Sequence, residues 1–562
     1  MSEERYLQPQ PGARIDAASR ERVVRRAALV SVGTGLSRIL GFARDVLIAH
    51  FLGAGPVADV FLAVLRLPNI LRRLLTEGAV AMPFIPVYFR LLHAAGEERA
   101  NAFARTTRAW TLLLSWLFCG AGLLLPLPLL LALAPGLVDR FAELPGGASF
   151  AAGLMRIALP YVPFILLSCV NSALLQARGN YLAPALAPCI LNVCFILPIL
   201  ALLASGHLNF FQHSPQTAKT AALALAWALP LAGVCQMLYL GGAVKRGGFK
   251  APDKAQWRDT AVFRLARILP ASLCITAAHQ IAVLIAIMAA SFLPDGYITQ
   301  VHFADQLIEL PLGLFGMALA VAVLPGFSTL AAPGRREELR EAVALSLRMV
   351  LFVALPAAAG LLGLAFPVVD LLFGHGAFDR GAVEGCAALL AGYALGLPAL
   401  AAARPLIAAI HALQRMTSAA KAALVTFAVT GLACLTVVLA APALARSTAL
   451  SLALGLGVSL GALAFTALLL RILAEEKAAP GLRHTLKAIS LPLGLSLGIA
   501  VICRLSAGVF PEHSLWLVLI LAPGCALSYA AICLAAGYPE ARQLLALFLS
   551  KTRRKKTRHG AD

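Results

Sequence analysis

The sequence predicts an all-α polytopic membrane protein, on three observations. Of its 562 residues, 60% are hydrophobic and only 13% charged, and the mean hydropathy of +0.83 is far above that of soluble domains. The apolar runs continue unbroken for about 20 residues or more, the length of a helix across a hydrocarbon core; a transmembrane strand would alternate apolar and polar positions over roughly ten. The basic residues gather in alternate short connections and at the two ends, as cytoplasmic loops do.

Spanning stretches centre near residues 40, 70, 120, 162, 193, 230, 278, 315, 358, 398, 430, 460, 495 and 526, which gives about 14 transmembrane helices. Residues 1–26 are polar, hold Pro9 and Pro11, and show no A-x-A cleavage site, so a cytoplasmic N-terminal tail is expected. With that end inside, the even-numbered loops should be basic. They hold Arg90, Arg99, Arg105 and Arg108; Arg178; Lys245, Arg246, Lys250, Lys254 and Arg258; Arg335, Arg336 and Arg340; Arg415 and Lys421; and Lys477, Arg483 and Lys487, before the tail KTRRKKTRH. Odd loops such as GAGPVAD (53–59) and LPDGY (293–297) are poor in them. Both termini are therefore expected in the cytoplasm, and the net charge of +20 needs no nucleic acid to explain it.

Ala58–Asp59 followed by Pro68 and Pro83 in the second span loosely matches Ala304–Asp305 followed by Pro311 and Pro325 in the eighth. Such a duplication would make two six-helix lobes running in the same direction. The expected organisation is a tail (1–26), an N-terminal lobe (27–245), a C-terminal lobe (246–475), two further spans (476–540) and a basic tail (541–562).

The 11 cysteines lie almost all in apolar runs without CxxC pairs, which reads as small core residues, with neither a disulfide nor a metal expected. No Walker A, HExxH or partnered GxSxG is present, and GGFK (247–250) falls in a basic loop. A transporter without a cofactor is expected, and not an enzyme.

The informative residues are charges at depth. SRILGFARDVLIAH (37–50) carries Arg38, Arg44 and Asp45, and the second span carries Asp59, Arg66, Arg73 and Glu77 at spacings of seven, seven and four, flanked by Asn69 and Arg72. One charge at the bilayer centre costs about 2.5–3.5 kcal/mol, so eight facing lipid would cost on the order of 20 kcal/mol. They must face one another or water. Pairing of Arg38 with Asp45, which lie within about 20° on a helical wheel, or of Arg73 with Glu77 is one reading. Five arginines against three acids leave a cationic surplus, which implies an anionic cargo with oxygens that suit the guanidinium fork. Further along, His302, Asp305 and Glu309 share a face beside Gln306, His279 sits within the seventh span, and Arg404 precedes Pro405 in the tenth.

SRILGFARDVLIAHFLGAG, ADVFLAVLRLPNILRRLLTEGAVAMPFIPVY, NYLAPALAPCILNV and ADQLIELPLGLFGMALAVAVLPGFS closely resemble the MurJ (MviN) family of flippases, which move lipid II, the undecaprenyl diphosphate-linked peptidoglycan precursor, across the bacterial inner membrane. The resemblance implies 14 spans in a MATE-like fold: two six-helix lobes around a cationic cavity, plus two C-terminal helices whose groove holds the lipid tail. It carries cargo-binding roles onto Arg38, Arg44 and Arg72, with Asp45, Asp59, Asn69 and Glu77 beside them and Arg404 in the second lobe. Asp305, Gln306 and Glu309 would line or gate that second lobe. Gln306 departs from the family, which typically has arginine there, so a flippase for another polyprenyl-linked glycan stays an alternative. A small-molecule exporter of the same architecture is the other, although for cationic drugs an acidic cavity would be expected. Lipid II and membrane lipids are the implied partners of a monomer associated with cell wall synthesis or division machinery. Coupling to membrane potential, Na⁺ or H⁺ is compatible with such a carrier.

Overall fold

A computed structural model of the chain describes residues 17–74, 81–142, 146–249, 256–313, 326–327, 329–332, 334–444, 448–510, 514–543 and 545. Most of the expected N-terminal tail, Glu77, Pro325 and nearly all of the basic C-terminal tail lie outside them. Residues 17–26, expected in the tail, instead form the first turns of a helix.

Every described element is helical. The N-terminal lobe runs α1 (Ala17–Leu52), α2 (Pro56–Leu74), α3 (Ala81–Leu124), α4 (Pro126–Leu133), a 3₁₀ turn (Pro135–Arg140), α5 (Gly147–Ala158), α6 (Tyr161–Ala177), α7 (Leu182–Ala204) and α8 (Pro215–Arg246). The C-terminal lobe runs α9 (Thr260–Thr276), α10 (Ala278–Ala290), α11 (Tyr297–Pro311), α12 (Arg336–Gly363), α13 (Ala365–Phe373), α14 (Arg380–Ala412), α15 (Met416–Leu444) and α16 (Thr448–Glu475). The chain then forms α17 (Leu482–Val509) and α18 (Ala522–Ala535). Local chemistry starts several of these helices. Ser214, Asp259 and Asp379 each accept a hydrogen bond from a backbone N–H of the first turn that follows, at 3.1, 2.9 and 2.8 Å.

Among the described residues, ten helical stretches are long and apolar enough to cross a membrane, and Ala278–Ala290 is a shorter apolar helix. The expected first, second, seventh and eighth spans are not among the ten. Helices α1 and α2 are charged, the seventh is split at Ala277 into α9 and α10, and the eighth, expected near residue 315, continues from α11 into residues outside the described ones. These are the helices that meet between the lobes.

The polarity of the molecule is inverted relative to a soluble protein. Leu117, Leu439 and Leu527 are 62%, 71% and 72% exposed, while Asp59, Asp305 and Arg66 are 0%, 1% and 3% exposed. An apolar exterior around buried charge is stable only in lipid. Inside the second lobe, α14 and α16 approach through glycines. A Cβ on Gly392 would lie 2.9 Å from the Gly455 backbone, and Ser459 Oγ donates to the Gly392 carbonyl at 2.7 Å. The last two helices lean on the second lobe: Gly363 of α12 lies against Ala500 and Cys503 of α17, and Tyr529 of α18 donates to the Phe352 carbonyl at 2.7 Å.

The Ala-Asp pair that suggested a duplication sits at unequal depths. Asp59 is in the first turn of α2, whereas Asp305 lies in the second half of α11; the prolines Pro68 and Pro311 correspond more closely.

Candidate functional site

The seven-residue stripe on α2 meets a matching stripe on α11. At the start of both helices Asp59 accepts from the Gly296 N–H, the Thr299 N–H and the Thr299 hydroxyl at 2.8, 2.9 and 2.7 Å, closing the N-terminus of α11 from the other lobe. Arg140, from the 3₁₀ turn, donates to the other side of Asp59 at 2.8 Å and also reaches Asp295 at 3.3 Å. Two turns along, Arg66 donates to Asp305 at 3.3 Å and to the carbonyl of Gln280 at 3.3 Å. Arg73 then pairs with Glu309, donates to Gln306 Oε1 at 2.8 Å, and lies 3.6 Å from Asp305. The two helices run in the same direction, and Asp59, Arg66 and Arg73, seven apart on α2, meet Thr299, Asp305 and Glu309 in turn on α11, so the stripe becomes a polar zipper between lobes.

The break at Ala277 brings α10 into this contact. His279 Nε2 lies 3.1 Å from Asp305, and Gln280 Nε2 donates to Glu309 at 2.9 Å. His279, Asp305 and Glu309 offer ligand atoms within 4.8 Å of one another, a spacing that suits a cation. Arg66 and Arg73 already bring two positive charges to the same carboxylates, and the group needs no metal to balance it.

On α1 the helical wheel misassigned a pair. Arg44 turns back onto its neighbour Asp45, with Nε and Nη2 at 2.9 and 2.7 Å from one carboxylate oxygen. Its Nη1 donates to Asn192 Oδ1 at 3.1 Å, and its guanidinium lies 5.7 Å from the centre of the Phe195 ring. A flexible arginine stem spans the angle that separates adjacent residues, and the Asn192 and Phe195 positions on α7 fix where it ends. Arg38, considered as the partner of Asp45, instead reaches across the lobes and donates to the carbonyls of Glu309 and Leu310 at 3.4 and 3.3 Å. Both carbonyls lie in the last turn of α11, where a cation is favoured. Gln306 ties both clusters together, donating to Asp45 at 3.3 Å while it accepts from Arg73.

The structure thus brings together Arg38, Arg44, Asp45, Asp305, Gln306 and Glu309, with Arg66 and Arg73. Asn69 is buried on α2, and Arg72 is half-buried within electrostatic range of Tyr161 and Cys169 on α6. Arg404 is half-buried on α14 and makes no hydrogen bond or ion pair with a described residue. Arg140, Asn192 and Gln280 are the contributors that pattern reasoning passed over. Asn192 carried a signal, as a lone amide in the apolar run of α7; Arg140 carried none, since it lies in an inter-helix connection.

Both ends of the interlobe contact are fastened. At the α1–α2 turn, a Cβ on Gly53, Gly376, Gly136 or Gly296 would collide with Ala377, His50, Ser291 or Ala54 respectively, each from the opposite lobe. At the other end Arg99 of α3 donates to both oxygens of Asp259 at 2.7 and 2.8 Å, the Gln256 N–H donates to Thr106 at 3.0 Å, and Trp110 packs edge-on to Trp257 at 5.3 Å. Burial works to raise the Asp259 pKa, but the Arg99 hydrogen bonds and the N–H groups at the start of α9 outweigh it and hold the carboxyl below its usual range.

The family model described as lipid II flippase MurJ matches residues 48–524. The chain belongs to the MurJ family. "Lipid II flippase MurJ" of Burkholderia cenocepacia is 32% identical over 421 residues, covering 72% of this chain and 77% of that protein. "Probable lipid II flippase MurJ" of Vibrio cholerae is 31% identical over 385 residues, covering 67% and 70%. In fold, the chain is similar to a lipid II flippase MurJ in an inward closed conformation, with a TM-score of 0.69 at 20% identity over 90% of this chain and 98% of that one. It is also similar to an inward-facing multidrug resistance MATE family transporter, at 0.59 and 12% over 79% and 94%. The fold is MATE-like, and MurJ proteins are transporters embedded in a membrane. The matched segment begins after Asp45, so the carry-over onto Arg38, Arg44 and Asp45 rests on the motif SRILGFARD itself.

Proposed function

We propose that the chain is a bacterial inner-membrane flippase that carries lipid II from the cytoplasmic to the outer leaflet by alternating access. Membership of the MurJ family supports the cargo, and one observation supports the way it is gripped: the N-terminal lobe presents Arg38, Arg66 and Arg73 to acceptors of the second lobe, with Arg44 paired to Asp45, the one acid of its own in that cluster. Parting the lobes would turn this face into a cationic wall for a diphosphate, with Arg72 and Asn69 on α2, Glu77 following in the sequence, and Arg404 contributing from the other lobe. The polyprenyl tail would stay in lipid beside α17 and α18. In this reading 14 spans place both termini in the cytoplasm, the unit is a monomer working beside cell wall synthesis machinery, and membrane potential, Na⁺ or H⁺ resets the empty carrier. One elementary charge moved through 100 mV contributes about 2.3 kcal/mol.

Gln306 favours a second reading, a different polyprenyl-linked glycan, because it adds no positive charge where the family usually has arginine. Purified protein in liposomes with labelled lipid-linked precursors of different head groups separates the two. Lipid II should be translocated in preference to other undecaprenyl diphosphate sugars, and Arg44→Lys should lower the rate at least tenfold, because an ammonium cannot hold Asp45 and Asn192 together. No transport of any diphosphate-linked lipid would refute both readings. Equal transport of unrelated cationic drugs would point to the exporter alternative.

A further inference from the structure

The charges that join the lobes are sorted by lobe. Arg38, Arg66 and Arg73 come from α1 and α2, whereas Asp305 and Glu309 come from α11, with Gln280, Gln306 and the end carbonyls of α11 as the other acceptors. A head group entering between α2 and α11 must part these pairs, which is strongly unfavourable unless the newcomer replaces the lost partner. A diphosphate does so, because its oxygens take guanidinium donors as a carboxylate does.

We infer that Arg66 and Arg73 are further diphosphate-binding residues, and that Asp305 and Glu309 hold the cargo's place on them while the carrier is empty. This rests on the proposed function, whose cationic wall includes Arg66 and Arg73, and adds the acids that the cargo must displace from them. Glu309 yields first: its side chain is 25% exposed against 2% for Asp305, so an incoming phosphate meets Arg73 before Arg66. The released Glu309 keeps the hydrogen bond from Gln280, and Asp305 keeps His279, so neither acid is stranded. Gln306 has a place in this exchange. Its neutral amide steadies Arg73 and Asp45 without contributing a charge that would compete with the cargo or with Glu309.

The test is titration of full-length protein in lipid nanodiscs with a fluorescent lipid II analogue, whose two bridging phosphates keep fixed charge near neutral pH. Glu309→Gln should bind about fivefold tighter and Arg73→Gln about tenfold weaker. The double variant Arg73→Gln/Glu309→Gln, which leaves no buried charge without its partner and so guards against misfolding, should bind as weakly as Arg73→Gln. Binding by Glu309→Gln no tighter than wild type, or a gain that survives in the double variant, overturns the inference while leaving the flippase reading intact. Failure of the wild type to bind the analogue overturns both.

Discussion

At the scale of single residues, Asp59 shows how a buried carboxylate becomes structural. It is wholly buried, and four donors surround it, from α11 and from Arg140. Removing it leaves Arg140 buried with only longer contacts, to Asp295 at 3.3 Å and the Ala290 carbonyl at 3.5 Å, and breaking a buried pair in this way costs about 3–5 kcal/mol. Asp59→Ala should therefore unfold at clearly lower temperature in detergent than wild type, with Asp59→Asn between them because the amide still accepts from α11. Equal melting of Asp59→Ala and wild type would show that the clasp carries no stability. The charged residues of the site were legible in the sequence because lipid makes each of them expensive. Their partners were not, because a helical wheel relates residues of one helix, and here Arg66 and Arg73 pair with α11, 239 and 236 positions away. Arg44 and Asp45 escaped for the opposite reason: adjacent residues diverge on the wheel, yet a long side chain can close the gap.

Among the elements, the legible ones were the apolar ones. The third to sixth and ninth to fourteenth spans correspond to helices of spanning length, since about 20 apolar residues leave the backbone little alternative to a helix in lipid. The break of the seventh span at Ala277 could not be read, although Pro270 lies nearby and Pro160 falls at the comparable break between α5 and α6. Prolines are numerous enough in these helices that most of them merely sit inside one. Glycine at close approaches was equally silent. Gly136 lies against the backbone of Ser291 in the other lobe, and any side chain there pushes the two apart. Gly136→Val should raise amide hydrogen exchange at Gly296 and Thr299, the donors to Asp59, while leaving exchange in the α14–α16 contact unchanged. Unaltered exchange at both donors would mean that this approach does not hold the lobes.

For the whole molecule, a carrier that opens alternately needs fastenings at both ends that differ in kind. The end at the α1–α2 turn is closed by backbone packing and a buried carboxylate, whereas the Arg99–Asp259 latch at the other end includes a partly exposed arginine worth about 1 kcal/mol or less. The folded Asp259 pKa lies below the unfolded value of about 3.9, so the latch contributes fully above that value and is lost as pH falls through the lower, folded one. In protein whose other tryptophans are replaced by phenylalanine, the Trp110–Trp257 pair should report this as a fluorescence change below about pH 4, absent in Asp259→Asn. A transition near neutral pH would contradict the assignment.

The long separation between α2 and α11 also bears on how the chain is made. At 5–20 residues per second, the 239 positions between Arg66 and Asp305 take roughly 10–50 s to synthesise. For that interval the first half of the molecule has arginines in the membrane whose carboxylates do not yet exist. The anions within reach are the phosphates of the surrounding lipids, the same chemical group the finished protein is proposed to carry. Maturation of the second half would then be the first occasion on which these arginines exchange a lipid phosphate for Asp305 and Glu309.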